Sequence, residues 1–150
     1  MKIKTLLLTL LTISPFTSAC EKIMAHDMYA RATPPSAETS ALFGQFVNSS
    51  DKDCYIVSAE TKAAGKVELH DVIMEGDVMK MRRVEKIKIP ANGSVTLKPG
   101  SLHIMLFNLE KPLAEGNIIP VKITFANGET QDLEAPIKKV MSGMKHKHHH

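Results

Sequence analysis

The chain has 150 residues, enough for one domain, and its 43% hydrophobic content is ordinary for a globular core. The formal charge of +3 is carried partly by the first few residues and the Lys-rich end, and it is too mild to indicate nucleic acid or a polybasic membrane patch.

Lys2 and Lys4 precede an apolar run, Leu6–Phe16, that is shorter than the about 20 residues a membrane span needs. Thr17-Ser18-Ala19 follows with small residues suited to cleavage, so residues 1–20 read as a secretory signal peptide and the chain as exported, with no membrane span. Ser18-Ala19-Cys20 partly resembles a lipoprotein processing site, although Thr17 stands where a larger aliphatic residue is usual; a lipid anchor at Cys20 is the lesser expectation. The second of the two cysteines, Cys54, reads as a small apolar residue opening a strand. Export permits a disulfide between them, but Cys20 lies at the processing boundary, and its loss, acylation or pairing with Cys54 all stay open.

Residues 21–38, with Pro34-Pro35, are expected as an extended N-terminal segment donating an edge strand near Met28–Arg31. The folded domain then runs over residues 39–140. Thr39–Asn48 and Cys54–Ala59 are expected as strands around the polar turn Ser49–Asp53, and Glu60–Gly65 as one helical turn. Val67–Met74 and Val78–Ile87 form a hairpin around Glu75-Gly76, with Val84–Ile89 continuing its second strand until Pro90-Ala91-Asn92-Gly93 breaks the pattern. Val95–Leu97 is a short strand, Lys98-Pro99-Gly100 turns the chain into Leu102–Phe107, and Ile118–Ala126 meets Thr130–Ile137 through Asn127-Gly128, a strong hairpin signal. Many short strands with turn signals between them predict an all-β fold, an antiparallel β-sandwich or Greek-key barrel.

Four soft or borderline donors lie in the middle of this pattern: His70, Met81, His103 and Met105. With Glu75-Gly76 as a two-residue loop, His70 comes directly opposite Met81, and cross-strand partners share a face with Cβ atoms about 4.5–5.5 Å apart. His103 and Met105 are two apart, so strand periodicity also puts them on one face. Zinc sites use thiolate, imidazole and carboxylate, whereas thioethers favour Cu(I), so two imidazoles with two thioethers point to copper. Met79 has the parity of Met81 but is expected to pack, since methionine usually fills gaps in cores.

A His, ten residues, a Met, twenty-one residues and then His-x-Met resembles the motif of the periplasmic copper chaperones of the PCu(A)C type. The segments Arg31-Ala32-Thr33-Pro34-Pro35, Leu69-His70, Gly76-Asp77-Val78-Met79-Lys80-Met81-Arg82, Ile89-Pro90-Ala91, Leu97-Lys98-Pro99-Gly100 and His103-Ile104-Met105-Leu106 resemble that family as well. The likeness covers roughly Met28 to Ile137; Tyr29 departs from it, standing where Trp is usual. The resemblance implies a cupredoxin-like fold, a periplasmic location and Cu(I) ligation by His70, Met81, His103 and Met105. It also implies delivery to the copper-site subunit of cytochrome c oxidase, with a Sco-type thiol protein as collaborator. A monomer is expected.

The final ten residues, Met141–His150, read as a flexible Met/His-rich tail, and Met141, Met144, His146, His148, His149 and His150 as a secondary site for Cu(II). A purification tag explains the tail less well, because the histidines are interrupted by Lys147. Among rivals, a blue-copper protein needs a Cys thiolate near its last His and Met, and no Cys follows Cys54. An enzyme is not expected, for want of a nucleophile elbow, a CxxC or zinc-hydrolase spacing. Copper buffering or resistance uses the same ligands and is the alternative to delivery.

Overall fold

A computed structural model of the chain describes residues 10–12 and 20–140; the greater part of the signal segment and the secondary-site residues of the tail lie outside the described residues. No helix among the described residues is long and apolar enough to cross a membrane. Among the described residues ten strands follow one another: β1 (Ile23–Arg31), β2 (Thr39–Asn48), β3 (Cys54–Glu60), β4 (Ala64–Glu75), β5 (Val78–Arg83), β6 (Ile87–Ile89), β7 (Gly93–Leu97), β8 (His103–Leu109), β9 (Ile118–Phe125) and β10 (Thr130–Lys138). They run in the order β5-β4-β8-β2-β1-β10-β9-β3-β6, with β7 beside β2. All pairings are antiparallel except β1 with β10, a short parallel junction at Ala30↔Ile137 and Arg31↔Lys138 that joins the two halves of the sandwich.

Period-two alternation decides what each strand buries. On β2, Leu42 and Phe46 are buried in the core, and on β8 Ile104 and Leu106 are, together with Ile56, Ile87, Ile89, Ile123 and Phe125 from the other half. Burying each such side chain stabilises the fold by roughly 1.5–3 kcal/mol. His103, Met105 and Phe107 alternate onto the opposite face of β8, away from that core.

Several expectations are corrected. β1 is not an edge strand of a loose segment; it lies between β2 and β10, within the sheet. One extra residue bulges it between His26 and Tyr29, with Asp27 at φ 52°, opposite Gly44 at φ 151°. A Cβ at Gly44 would collide with Met28, so glycine lets the bulge close. The bulge also moves Tyr29 and Arg31 onto the face that carries Phe43 and His103. No helical turn forms over Glu60–Gly65: β3 runs to Glu60, and β4 begins at Ala64. The strand after Met81 does not continue to Ile89. It stops at Arg83, and β6 pairs with β3 in the other half, because Ile87 and Ile89 are buried there.

Cys20 and Cys54 form a disulfide with Cα atoms 5.9 Å apart, so Cys54 is a covalent anchor for the N-terminal end of β1 as well as a buried residue opening β3. Buried Asn48 organises the neighbouring turn: its Nδ2 donates to the carbonyls of Lys52 (2.8 Å) and Ile89 (3.1 Å), and its Oδ1 accepts from the Ser50 amide (2.9 Å).

Candidate metal centre

The hairpin turn decides how Met81 meets the other donors. Gly76 takes φ 63° and Glu75 pairs with Val78, so the two loop residues are Gly76 and Asp77, not Glu75 and Gly76. Met81 therefore faces Val72, and His70 faces Arg83. Direct opposition of His70 and Met81 is thus corrected to a diagonal relationship. A slip of two residues keeps every side chain on its face, whereas a slip of one would have reversed them. Met81 still shares a face with His70, at a diagonal spacing of about 7–8 Å that long side chains span.

The long-range pairing of β4 with β8 brings the remaining donors together. His70 lies directly opposite His103, and Glu68 opposite Met105. The imidazole centroids are 5.7 Å apart. With ion–nitrogen bonds of about 2.0–2.1 Å, two rings on one ion have centroids no more than about 6.4 Å apart, and this pair lies within that limit. Phe107 lies 5.8 Å from His70 and Phe43 lies 6.3 Å from His103, which gives the histidines apolar neighbours. His103 is only 4% exposed although it lies on the face turned from the core.

Hydrogen bonds decide which ring nitrogens of the two histidines are left uncommitted. The Ser101 carbonyl, 2.8 Å from His103 Nδ1, can only accept, so Nδ1 carries the proton and Nε2 keeps a bare lone pair. Glu68 Oε2 lies 2.7 Å from His70 Nε2 and accepts from it. The buried Nδ1 of His70 has no hydrogen-bond partner among the described residues. A buried nitrogen lone pair without a donor is costly unless something electrophilic occupies it. Glu68 itself is held below the usual carboxylate range, first by its hydrogen bond with His70 and then by that with Lys66, so it remains an anion behind the imidazole. Such a carboxylate–histidine arrangement fixes the ring and raises its basicity toward a metal.

A cavity of about 250 Å³ is lined by Met81, His103 and Met105, and also by Met79, Phe43 and Arg31. His70 is not part of the lining; it flanks His103, its ring near Phe107 and Glu68. Met81 is 62% exposed, so the centre is open on the hairpin side. Among the described residues no three His, Cys, Asp or Glu side chains gather at a distance suited to one ion, and a centre here has to use thioether sulfur.

Residues 23–137 match the family described as "Putative lipoprotein LpqE-like". The chain belongs to the LpqE-like family, of the PCuAC type. Its relatives include "Putative lipoprotein Lxx21020" of Leifsonia xyli subsp. xyli (strain CTCB07), 32% identical over 100 residues, which are 66% of this chain and 60% of that protein. "Uncharacterized protein RP573" of Rickettsia prowazekii (strain Madrid E) is 31% identical over 87 residues, 57% of this chain and 48% of that one. The matched part thus spans less than two thirds of either relative. The copper-bound PCuAC domain from PmoF2 aligns with a TM-score of 0.70 over 81% of this chain and 97% of that one, at 20% identity, a likeness of fold. The Cu(I) form of DR1885 from Deinococcus radiodurans is 29% identical, with a TM-score of 0.65 and 83% of each chain covered. The cupredoxin-like, all-β single domain expected from the sequence is therefore the PCuAC fold, with one parallel junction making its sheet mixed.

Within this LpqE-like domain, Glu68 and the Ser101 carbonyl escaped the sequence reading. Glu68 had a usable signal, because it precedes His70 by two on a strand and so shares its face. Ser101 had none, since its part is played by a backbone oxygen in a turn.

Proposed function

We propose that this protein is a periplasmic Cu(I) carrier in which His70 Nδ1, His103 Nε2 and the sulfurs of Met81 and Met105 hold one copper ion as cargo. The observation that carries the reading is the buried, unpartnered Nδ1 of His70 beside the ring of His103, since a lone pair held dry and pre-oriented by Glu68 suits a metal and little else. The thioethers select the softer oxidation state. The Cu(I) form of DR1885, a 29% identical structural relative, supports copper as the ion.

Transfer, in preference to storage, is supported by the exposure of Met81 on an outer strand. An incoming donor displaces this neutral thioether first, because no charge pairing is lost as it leaves, and the ion then passes on by associative exchange. We assign the recipient as the copper-site subunit of cytochrome c oxidase, with a Sco-type thiol protein as collaborator, and the protein as a monomer without enzymatic activity. The test is titration of the chain with Cu(I) against a competing chelator, followed by mixing with the apo copper domain of an oxidase. One tight equivalent that moves to the oxidase domain is expected. Absence of tight binding defeats the carrier reading, and tight binding without transfer favours buffering.

A further inference from the structure

The β4–β5 hairpin carries more thioether than the centre requires. Met74, Met79 and Met81 are 61%, 58% and 62% exposed, and no residue of β5 is buried, so the expectation that Met79 packs in a core is not met. Met74 pairs directly with Met79, and Val72 with Met81, which puts all three methionines on the face that also carries His70. Cross-strand partners have Cβ atoms about 4.5–5.5 Å apart. Metal–sulfur bonds of about 2.3 Å span up to about 4.6 Å between two sulfurs, so flexible methionines at that spacing can share one ion.

The three are also graded in position. Met79 lines the same cavity as Met81, His103 and Met105, and its methyl lies 3.8 Å from the point where a Cβ on Gly100 would stand. Met74 lies outside the lining, next to the turn at Gly76 and Asp77. β5 ends the strand path, so no further strand of the described residues covers this side. An unbroken row of soft donors therefore leads from the exposed turn to the cavity.

We infer that Met74 and Met79 form a thioether relay through which Cu(I) enters and leaves the centre. The inference rests on the Cu(I) reading of the centre and adds a route to it. On exit, Met79 sulfur bonds the ion as Met81 sulfur lets go, Met74 sulfur bonds it at the outer edge as Met105 sulfur lets go, and an acceptor's soft ligands bond it as the two imidazole nitrogens let go. Each new bond to copper replaces one that breaks. The ion stays Cu(I), and no proton moves, because thioethers are neutral throughout.

The full chain, labelled with ¹³C at its methionine methyls, is titrated with Cu(I) without oxygen. Met81 and Met105 methyl signals are expected to shift over the first equivalent, and those of Met74 and Met79 once Cu(I) is in excess. Met74 and Met79 signals unmoved by excess Cu(I) overturn the relay; Met81 and Met105 signals unmoved by the first equivalent overturn the centre itself. In a parallel measurement, the double variant Met74→Leu/Met79→Leu keeps its equilibrium Cu(I) affinity while the rate of Cu(I) extraction by a chelator falls about tenfold. These are exposed, volume-conserving changes that leave the fold intact. Extraction at the unmodified rate overturns the relay. An affinity loss as large as that of Met81→Leu also overturns it, by making the pair part of the centre.

Discussion

His70 and His103 stand directly opposite each other on β4 and β8, their rings 5.7 Å apart and each with one nitrogen committed to an oxygen acceptor. The uncommitted nitrogens, Nδ1 of His70 and Nε2 of His103, are therefore the two that the hydrogen bonds leave open to the proposed ion. Pre-organisation of this kind lowers the reorganisation needed on binding.

Replacing Met81 or Met105 by Leu should weaken Cu(I) binding and leave the fold intact. The change conserves volume, so stability should alter by less than about 1.5 kcal/mol, and least at Met81, which is exposed. Chelator competition and denaturant unfolding on the same variants separate the two effects. Unchanged affinity in both variants would remove the thioethers from the centre.

Glu68→Gln should weaken Cu(I) binding by about 10–100-fold, the usual effect of losing a carboxylate behind a ligating histidine. Gln keeps the length of the side chain and its acceptor oxygen but not the charge. Lys66→Met removes the other partner of Glu68, 3.1 Å away, without touching the histidine, and should cost much less. Equal losses in the two variants would point to general electrostatics in place of ligand orientation.

Acid should release copper before it unfolds the protein. Histidine ligates only as the neutral base, so protons compete with Cu(I) directly. Glu68 is held below its usual value of 4.5 by His70 and Lys66, and Asp53 below its usual 3.8, chiefly by the Ala91 amide. For both carboxyls the folded value is the lower one, so their stabilisation is present above the unfolded values and is lost as pH falls through the folded ones, below 4.5 for Glu68 and below 3.8 for Asp53. Cu(I) affinity and thermal unfolding measured against pH should show this order; copper retained until unfolding would exclude imidazole ligation.

The disulfide bears on the address of the protein. An acylated Cys20 has no sulfur left for Cys54, so lipid anchor and disulfide exclude each other. Intact mass of the exported chain should show no diacylglycerol and the loss of two hydrogens relative to the dithiol. Cys54→Ala should destabilise the fold by about 3–4 kcal/mol, as expected for closing a loop with a sequence separation of 34, without altering Cu(I) affinity. Full stability after the substitution would mean that the cross-link contributes nothing.

Deleting Met141–His150 should abolish a second copper equivalent under oxidising conditions and barely change Cu(I) affinity, because imidazole nitrogens without fixed geometry suit Cu(II). Loss of Cu(I) binding on truncation would make the tail part of the first centre.

The sequence alone determined which donors exist and which face each occupies. His103 and Met105 share a face by strand parity, and Met81 stayed with His70 through an incorrect turn assignment because the error was two residues, a whole period. The strands Thr39–Asn48 and the pair around Asn127-Gly128 were legible for the same reason, since alternation and turn chemistry are local. Tertiary structure alone decided which strands are neighbours. His70 opposite His103, the departure of β6 to pair with β3, the bulge that turns Tyr29 and Arg31 onto the outer face, and the bond from Cys20 to Cys54 all depend on long-range register. That register is set by how Leu42, Phe46, Ile104, Leu106 and their partners fill one core, a property of the whole chain that no local period encodes.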